Sequence, residues 1–301
     1  MTASQEIESQ LLDLAWRQWT ELGVAGMKPY GQVAVGIEEL LLLTAALADA
    51  DPRLRDEALD WCAKFGRFVS KPRLKNLLRS VSPEARASFA MFAASHNATT
   101  NAGWPGDEGG KAVEVRLSGK SRLGNPARPA LLNLRLRTLF GVGARADVLA
   151  ALLSAEAPHV SAADLAYLGY TKRNIAQVLD DLALSGLVRS QRVRNQVRFS
   201  WKRRQELDAL IRPLPGRIPR WPNLMRVLIG LHELTRNAAR KPETVAGIEA
   251  VKFLDVARSD LESLRIEPMQ PSERPAATWP RFIRWATKLA SDVASGRTPG
   301  P

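Results

Sequence analysis

Residues 161–204 read SAADLAYLGYTKRNIAQVLDDLALSGLVRSQRVRNQVRFSWKRR, and this stretch decides how the chain is read. Ser161 suits a helix N-cap, and Asp164 stands where a capping-box acid would, although Glu or Gln is the usual partner. Leu165 and Leu168 follow as core-facing positions, and Gly169 permits the positive φ of a tight turn. Thr171 then caps a second helix. At about 100° per residue, Ile175, Val178, Leu179 and Leu182 fall on one face of it. The opposite face carries Arg173 and Gln177, flanked by Asn174, Ala176 and Asp180, with Lys172 at the N-terminal edge.

Ser185-Gly186 ends that helix, and two β-like runs follow, with Val193, Val197, Phe199 and Trp201 as β-formers and Arg194-Asn195 as the hairpin tip. Between residues 187 and 204 there are seven basic residues and no acid: Arg189, Arg192, Arg194, Arg198, Lys202, Arg203 and Arg204. The order helix, tight turn, helix and hairpin is that of a winged helix-turn-helix, whose second helix lies in the major groove of DNA.

Arg can pair with guanine O6 and N7, and Gln or Asn with adenine, each worth roughly 1–3 kcal/mol of discrimination. Thr171, Lys172, Arg173, Asn174 and Gln177 are therefore the candidate base-reading set. Arg189, Arg192, Arg194, Arg198, Lys202 and Arg203 are the candidates for backbone phosphate or the minor groove. Asp180 and Asp181 would repel phosphate, which points the helix C-terminus away from a duplex. If about 4–6 of the charges meet phosphates, affinity should fall with salt at a log–log slope of roughly −4 to −5.

On SAADLAYLGYTKRNIAQVLDDLALSGLV followed by VRSQRVRNQVRFSW, residues 131–204 resemble the bacterial winged-helix regulators of the MarR/ArsR-like kind. The resemblance covers about a quarter of the chain. It implies sequence-specific binding of double-stranded DNA, commonly as a homodimer and commonly for repression of transcription. The family's metal-site cysteines and histidines have no counterpart here, so no metal or other cofactor is expected. The competing expectation is a protein-interaction module, such as an antitoxin or scaffold, whose winged helix meets a protein.

Composition agrees with an anionic partner. The 301 residues carry a net charge of +12, with 45% hydrophobic and 25% charged residues. The charge is uneven: residues 1–60 hold 11 acidic and 4 basic side chains, so the excess of base lies beyond them. Cys62 is the only cysteine, which rules out an internal disulfide or a thiolate zinc cluster. MTASQEIESQ lacks the basic-then-apolar order of a signal peptide, and the longest apolar run, LLLLTAALA, is far short of the roughly 20 residues of a membrane span. A cytoplasmic location is expected.

The surroundings read as helical: an N-terminal region (1–95), a Gly/Pro-rich linker (96–128) with one strand at 112–117, the module (129–205) and a C-terminal region (206–301). Helices are expected at 5–22, 36–48, 52–65, 72–80 and 83–95. Two more, hinged at Gly141-Val142-Gly143, should precede the helix-turn-helix stretch that begins at Ser161, and three should fill 222–237, 243–266 and 280–294. Trp221-Pro222 and Trp279-Pro280 read as helix starts.

Other signals carry no chemistry. GVGARA (141–146) fits a loose dinucleotide fingerprint without the βαβ context it requires, and HELTR lacks the second histidine of a zinc protease. Glu38-Glu39 reads as an ordinary polar helix edge. FGRFVSKPRLKNLLR (65–79) has two readings, a second DNA contact or a charged bundle surface, with the second preferred. The fold expected is mainly α, with helical regions on both sides of a winged helix-turn-helix, and no enzyme constellation is found.

Overall fold

Thr2 opens the first helix, α1 (Ala3–Leu22), through a capping box: its hydroxyl accepts from the Gln5 amide, and the Gln5 side chain accepts from the Thr2 amide at 2.7 Å. The computed structural model describes residues 2–26 and 31–297, so Met27–Tyr30, within the break that follows α1, lie outside the described residues. α2 (Ile37–Ala46) is buried along its whole length, as a helix apolar on nearly every side must be. α3 (Pro52–Phe65), α4 (Lys71–Leu78) and α5 (Pro83–Thr100) each start with proline in the first turn. Asp51 and Ser82 cap α3 and α5 by accepting from the Leu54 and Ala85 amides.

Beyond α5 the chain runs without helix or strand over 101–128. The strand expected at 112–117 does not form, because no second strand lies beside it to complete a ladder. Further along, the Gly119 and Ser121 amides donate to the Asp60 carboxylate at 2.7 and 3.0 Å, which ties the segment to α3. Trp104 is buried and stacks near Phe89, Phe92 and His96, so the expected linker is fastened to the helical body.

α6 (Leu132–Phe140) and α7 (Ala144–Ser154) meet at the expected glycine hinge. A 3-10 turn (Ala166–Leu168), α8 (Lys172–Leu184), β1 (Val188–Val193), β2 (Gln196–Trp201) and α9 (Arg204–Ile211) complete the module. α10 (Trp221–Ala238), α11 (Glu243–Ser263) and α12 (Pro275–Ala294) follow. The fold class is as expected: mainly helical, with helical regions flanking a two-stranded antiparallel hairpin. Trp221-Pro222 does start α10, but Trp279-Pro280 lies inside α12, which begins at Pro275.

The N-terminal and C-terminal helices, read from sequence as separate regions, share one hydrophobic core. Trp221 of α10 donates its indole N–H to the Ala34 carbonyl at 2.6 Å, one of several ties between them. A second core holds α6 to α9 and the hairpin, with Ile175, Leu179, Phe199 and Ile211 at its centre. α6 and its N-cap straddle the two, with Leu131 and Leu134 in the first and Leu132 and Leu136 in the second.

The joint between the cores is ionic. Glu38 and Glu39, expected on an exposed edge, are fully buried, and Arg73, Arg137 and Asp147 are buried with them. Arg137 donates twice to Glu38 at 2.8 Å and also to Asp147 at 3.1 and 3.2 Å. Arg73 donates to Glu38 at 2.6 Å and to both oxygens of Glu39. Tyr170 donates its hydroxyl to Asp147 at 2.6 Å. The reading of Glu38-Glu39 as a solvated edge is therefore wrong: α2 has no solvated edge to put them on.

Candidate nucleic-acid interface

The turn before α8 is built by three local devices. The Ser161 amide and hydroxyl both donate to Asp164 at 2.8 Å, so the expected capping pair is present. What it caps is not a full helix but turns ending in the 3-10 segment. Gly169 adopts φ +82°, as its place in the tight turn demands. Thr171 then accepts from the Asn174 amide at 3.2 Å as the N-cap of α8.

From that start the helical period sorts the side chains. Ile175, Val178, Leu179 and Leu182 are buried, whereas Thr171, Lys172, Arg173, Asn174 and Gln177 are all exposed. The first turn of α8 holds no acid, so its partial positive charge is uncancelled there. Gln177 is not idle: its side-chain amide donates to Asp181 at 3.0 Å. The other oxygen of Asp181 pairs with Arg145 of α7 at 2.9 Å, a tie that local periodicity could not reveal.

The hairpin forms with Val193 opposite Gln196, leaving Arg194-Asn195 as a two-residue loop. Arg194 takes φ +53°, in keeping with the positive φ that such tight hairpin loops demand. The register puts Arg189 and Arg198 on one face, with Arg192 on the opposite face beyond Phe199. All four arginines are exposed, as are Lys202 and Arg203. Arg203 faces Glu206 at 3.8 Å, while Arg189, Arg192, Arg194 and Arg198 meet no carboxylate among the described residues. Phe199 is buried and exchanges two backbone hydrogen bonds with Val160, at 2.9 and 2.7 Å, which anchors β2 to the module. Val193 and Val197 are left partly open at the outer end of the hairpin.

Arg198 also lines a cleft of about 560 Å³ that the module shares with Arg220 and the end of α11. The cleft includes the Glu156–Arg265 pair at 2.7 Å. Arg220 lies over the Tyr167 ring, 5.1 Å from its centroid.

Two neighbours of this surface escaped sequence reasoning. Arg73 donates from Nε to the Leu168 carbonyl at 2.8 Å, and Asn76 donates to the Gly169 carbonyl at 3.0 Å. Both belong to α4, so the body grips the turn that launches α8. In the 65–79 stretch Arg73 is accordingly buried, while Arg67, Lys71, Lys75 and Arg79 stay exposed. A signal for the grip existed: Arg73 falls beside Leu77 at the edge of the apolar side of a short helix, where a buried charge must find partners.

Burial holds the His96 and His232 rings neutral, each lowered to about 4, with nearby Lys71 and Arg236 adding to the effect. Among the described residues no three His, Cys, Asp or Glu side chains cluster to hold a metal ion, and no helix is long and apolar enough to cross a membrane. Compared with known proteins, the chain matches no family model, no curated protein and no solved structure.

Proposed function

We propose that the chain binds double-stranded DNA by sequence and regulates transcription, with repression by occupancy of its site as the form to be tested. One observation carries this reading. The exposed first turns of α8 present Lys172, Arg173, Asn174 and Gln177, and the adjoining hairpin presents four arginines without a carboxylate partner. A recognition helix reads bases with such side chains, and a basic wing neutralises phosphates.

In this reading Arg173 and Gln177 contact base edges, with Lys172, Asn174 and Thr171 beside them. Arg189, Arg192, Arg194, Arg198, Lys202 and Arg203 supply backbone or minor-groove contacts. A homodimer on a two-fold operator is part of the proposal, and sedimentation with and without DNA tests it. The primary experiment is a binding selection from random duplexes at two salt concentrations. A single enriched motif and a slope of roughly −4 to −5 support the reading, while salt-independent or absent binding overturns it.

A second reading has its own observation. Leu184, at the end of α8, is 90% exposed, and Val193 and Val197 of the hairpin are 41% and 43% exposed. Apolar groups on the same module favour a protein partner, such as a toxin or an assembly component. Co-purification of a neighbouring gene product with a chain that ignores duplex DNA at low salt would decide for it.

A further inference from the structure

The winged module does not stand alone at the point where α8 begins. α4 is clamped to the turn by Arg73 on Leu168 and by Asn76 on Gly169. The clamp is close: a Cβ built on Gly169 would lie 3.0 Å from Leu77 Cδ2 and 3.4 Å from Arg73 Cγ, so glycine is what lets the turn and α4 touch. On its exposed face α4 carries Lys75, and its C-cap residue Arg79 is exposed one helical turn further on. Arg79 and Thr171, the cap of α8, line the same open cleft of about 440 Å³. Arg79 reaches only Asn76, at 3.3 Å, and Lys75 has no ion-pair partner among the described residues. From Gly66 to Pro83 the sequence contains no acid.

We infer that α4 is a second part of the DNA-binding surface, with Lys75 and Arg79 contacting backbone phosphates beside the groove that α8 enters. The inference rests on the DNA-binding reading above and extends it to a helix outside the winged module. Its physical basis is placement together with charge. The N-terminus of a recognition helix is the end that approaches base edges, so side chains fastened beside that end lie next to the flanking phosphates. The hydrogen bonds from Arg73 and Asn76 make them rigid neighbours, because both donors hold backbone carbonyls of the turn itself. Arg73 and Asn76 are thus positioning residues, and Lys75 and Arg79 are the contacts. Phosphate contacts carry no sequence information, so the extension strengthens binding and lengthens the footprint without altering the preferred motif.

The test uses the full chain and the duplex enriched by selection. The double variant Lys75→Ala/Arg79→Ala should bind with a salt slope shallower by about 2, roughly one for each phosphate no longer neutralised, and with its motif unchanged. Lys75→Glu, a second variant at an exposed site, should weaken all duplexes further. Ethylation of individual phosphates should reveal one or two positions that impair wild-type binding and no longer matter in the double variant. Arg281→Ala, on α12, removes a single charge elsewhere and should leave the slope unchanged. Thermal unfolding of each variant should match wild type.

If the hairpin variant Arg194→Ala flattens the slope while the α4 variants behave as wild type, this inference falls and the DNA-binding reading stands. If Arg281→Ala flattens the slope as much as a single α4 substitution does, the effect is one of overall charge and the inference falls. If the wild-type chain binds no duplex, both fall together.

Discussion

Arg137 and Glu38 lie 99 positions apart in the chain and are joined by two hydrogen bonds of 2.8 Å, with 1% and 0% of their side chains exposed. The first belongs to α6 and the second to α2, so the pair fastens the winged module to the helical body. Around it stand Glu39, Asp147 and Arg73, which makes three carboxylates against two guanidiniums. A buried network of this kind is weak evidence of net stabilisation, since an apolar replacement of the whole could serve as well. It is strong evidence of sensitivity, because removing one member strands the others.

Arg137→Ala should therefore lower the unfolding free energy by about 3–5 kcal/mol, the cost of leaving Glu38 and Asp147 buried without this partner. Tyr170→Phe removes only the hydroxyl that Asp147 accepts at 2.6 Å and should cost about 1–3 kcal/mol. Urea titrations measure both. A loss under about 1 kcal/mol in Arg137→Ala would show that water or rearrangement replaces the missing partner.

Acid should act on the same joint. Burial alone would push the Glu38 carboxyl up, but the Arg137 and Arg73 guanidiniums, with hydrogen bonds from Arg137 and the Ser70 amide, bring it down from 4.5 to about 2. A depressed carboxyl stabilises the fold above its unfolded value and loses that contribution as pH falls towards its folded one. The window is pH 4.5 to about 2, and the contribution is about 3 kcal/mol. Glu39 is shifted the other way, raised by burial beyond what Arg73 offsets, so its contribution is present at low pH and lost as pH rises through its folded value. The stability difference between wild type and Glu38→Gln should be large at pH 6 and close by pH 2. A difference that stays constant across that range would contradict the linkage.

The contrast between this joint and the module explains what the sequence could reveal. α8 announces itself because Ile175, Val178, Leu179 and Leu182 repeat at the helical period, and the hairpin does so because Arg194-Asn195 interrupts two β-rich runs. Both are local patterns. Glu38 and Glu39 sit in the first turn of a helix, where acids are favoured whether exposed or not, so their local signal is uninformative. Their partners Arg73 and Arg137 are supplied by distant segments, and nothing in a local window marks the pairing. A clue was nonetheless present in IEELLLLTAA: a helix apolar on nearly all sides leaves no wet face for its two acids. The 112–117 segment failed for the converse reason, since alternation suggests a strand but only a neighbouring strand can complete one.

Gly169→Ala should weaken the grip on the turn. Its φ of +82° disfavours any side chain, and the new Cβ would press on Leu77 at 3.0 Å. A loss of at least about 1 kcal/mol is expected in thermal or urea unfolding, together with weaker DNA binding because α8 no longer starts from the same place. Weaker binding at unchanged stability would place the role of Gly169 in DNA contact alone.

Asp181 offers the sharpest test of the DNA-reading role proposed for α8. Its carboxylate holds Gln177 at 3.0 Å and Arg145 at 2.9 Å, so in the free protein it occupies one proposed base reader and one further cation. A Gln177 amide that turns towards adenine gives up its bond to Asp181, and the carboxylate itself opposes the approach of phosphate. Both effects have the same sign. Asp181→Ala should therefore tighten binding to all duplexes by about threefold to tenfold, roughly 1 kcal/mol, with a steeper salt slope as Arg145 becomes available. The opposite role is physically coherent: Asp181 could hold Gln177 in its reading position. In that case Asp181→Ala would weaken the preferred duplex as much as Gln177→Ala does and leave random duplexes unaffected. Competition binding of the two variants on preferred and scrambled duplexes separates the roles, and a selective loss would overturn the prediction of a gain.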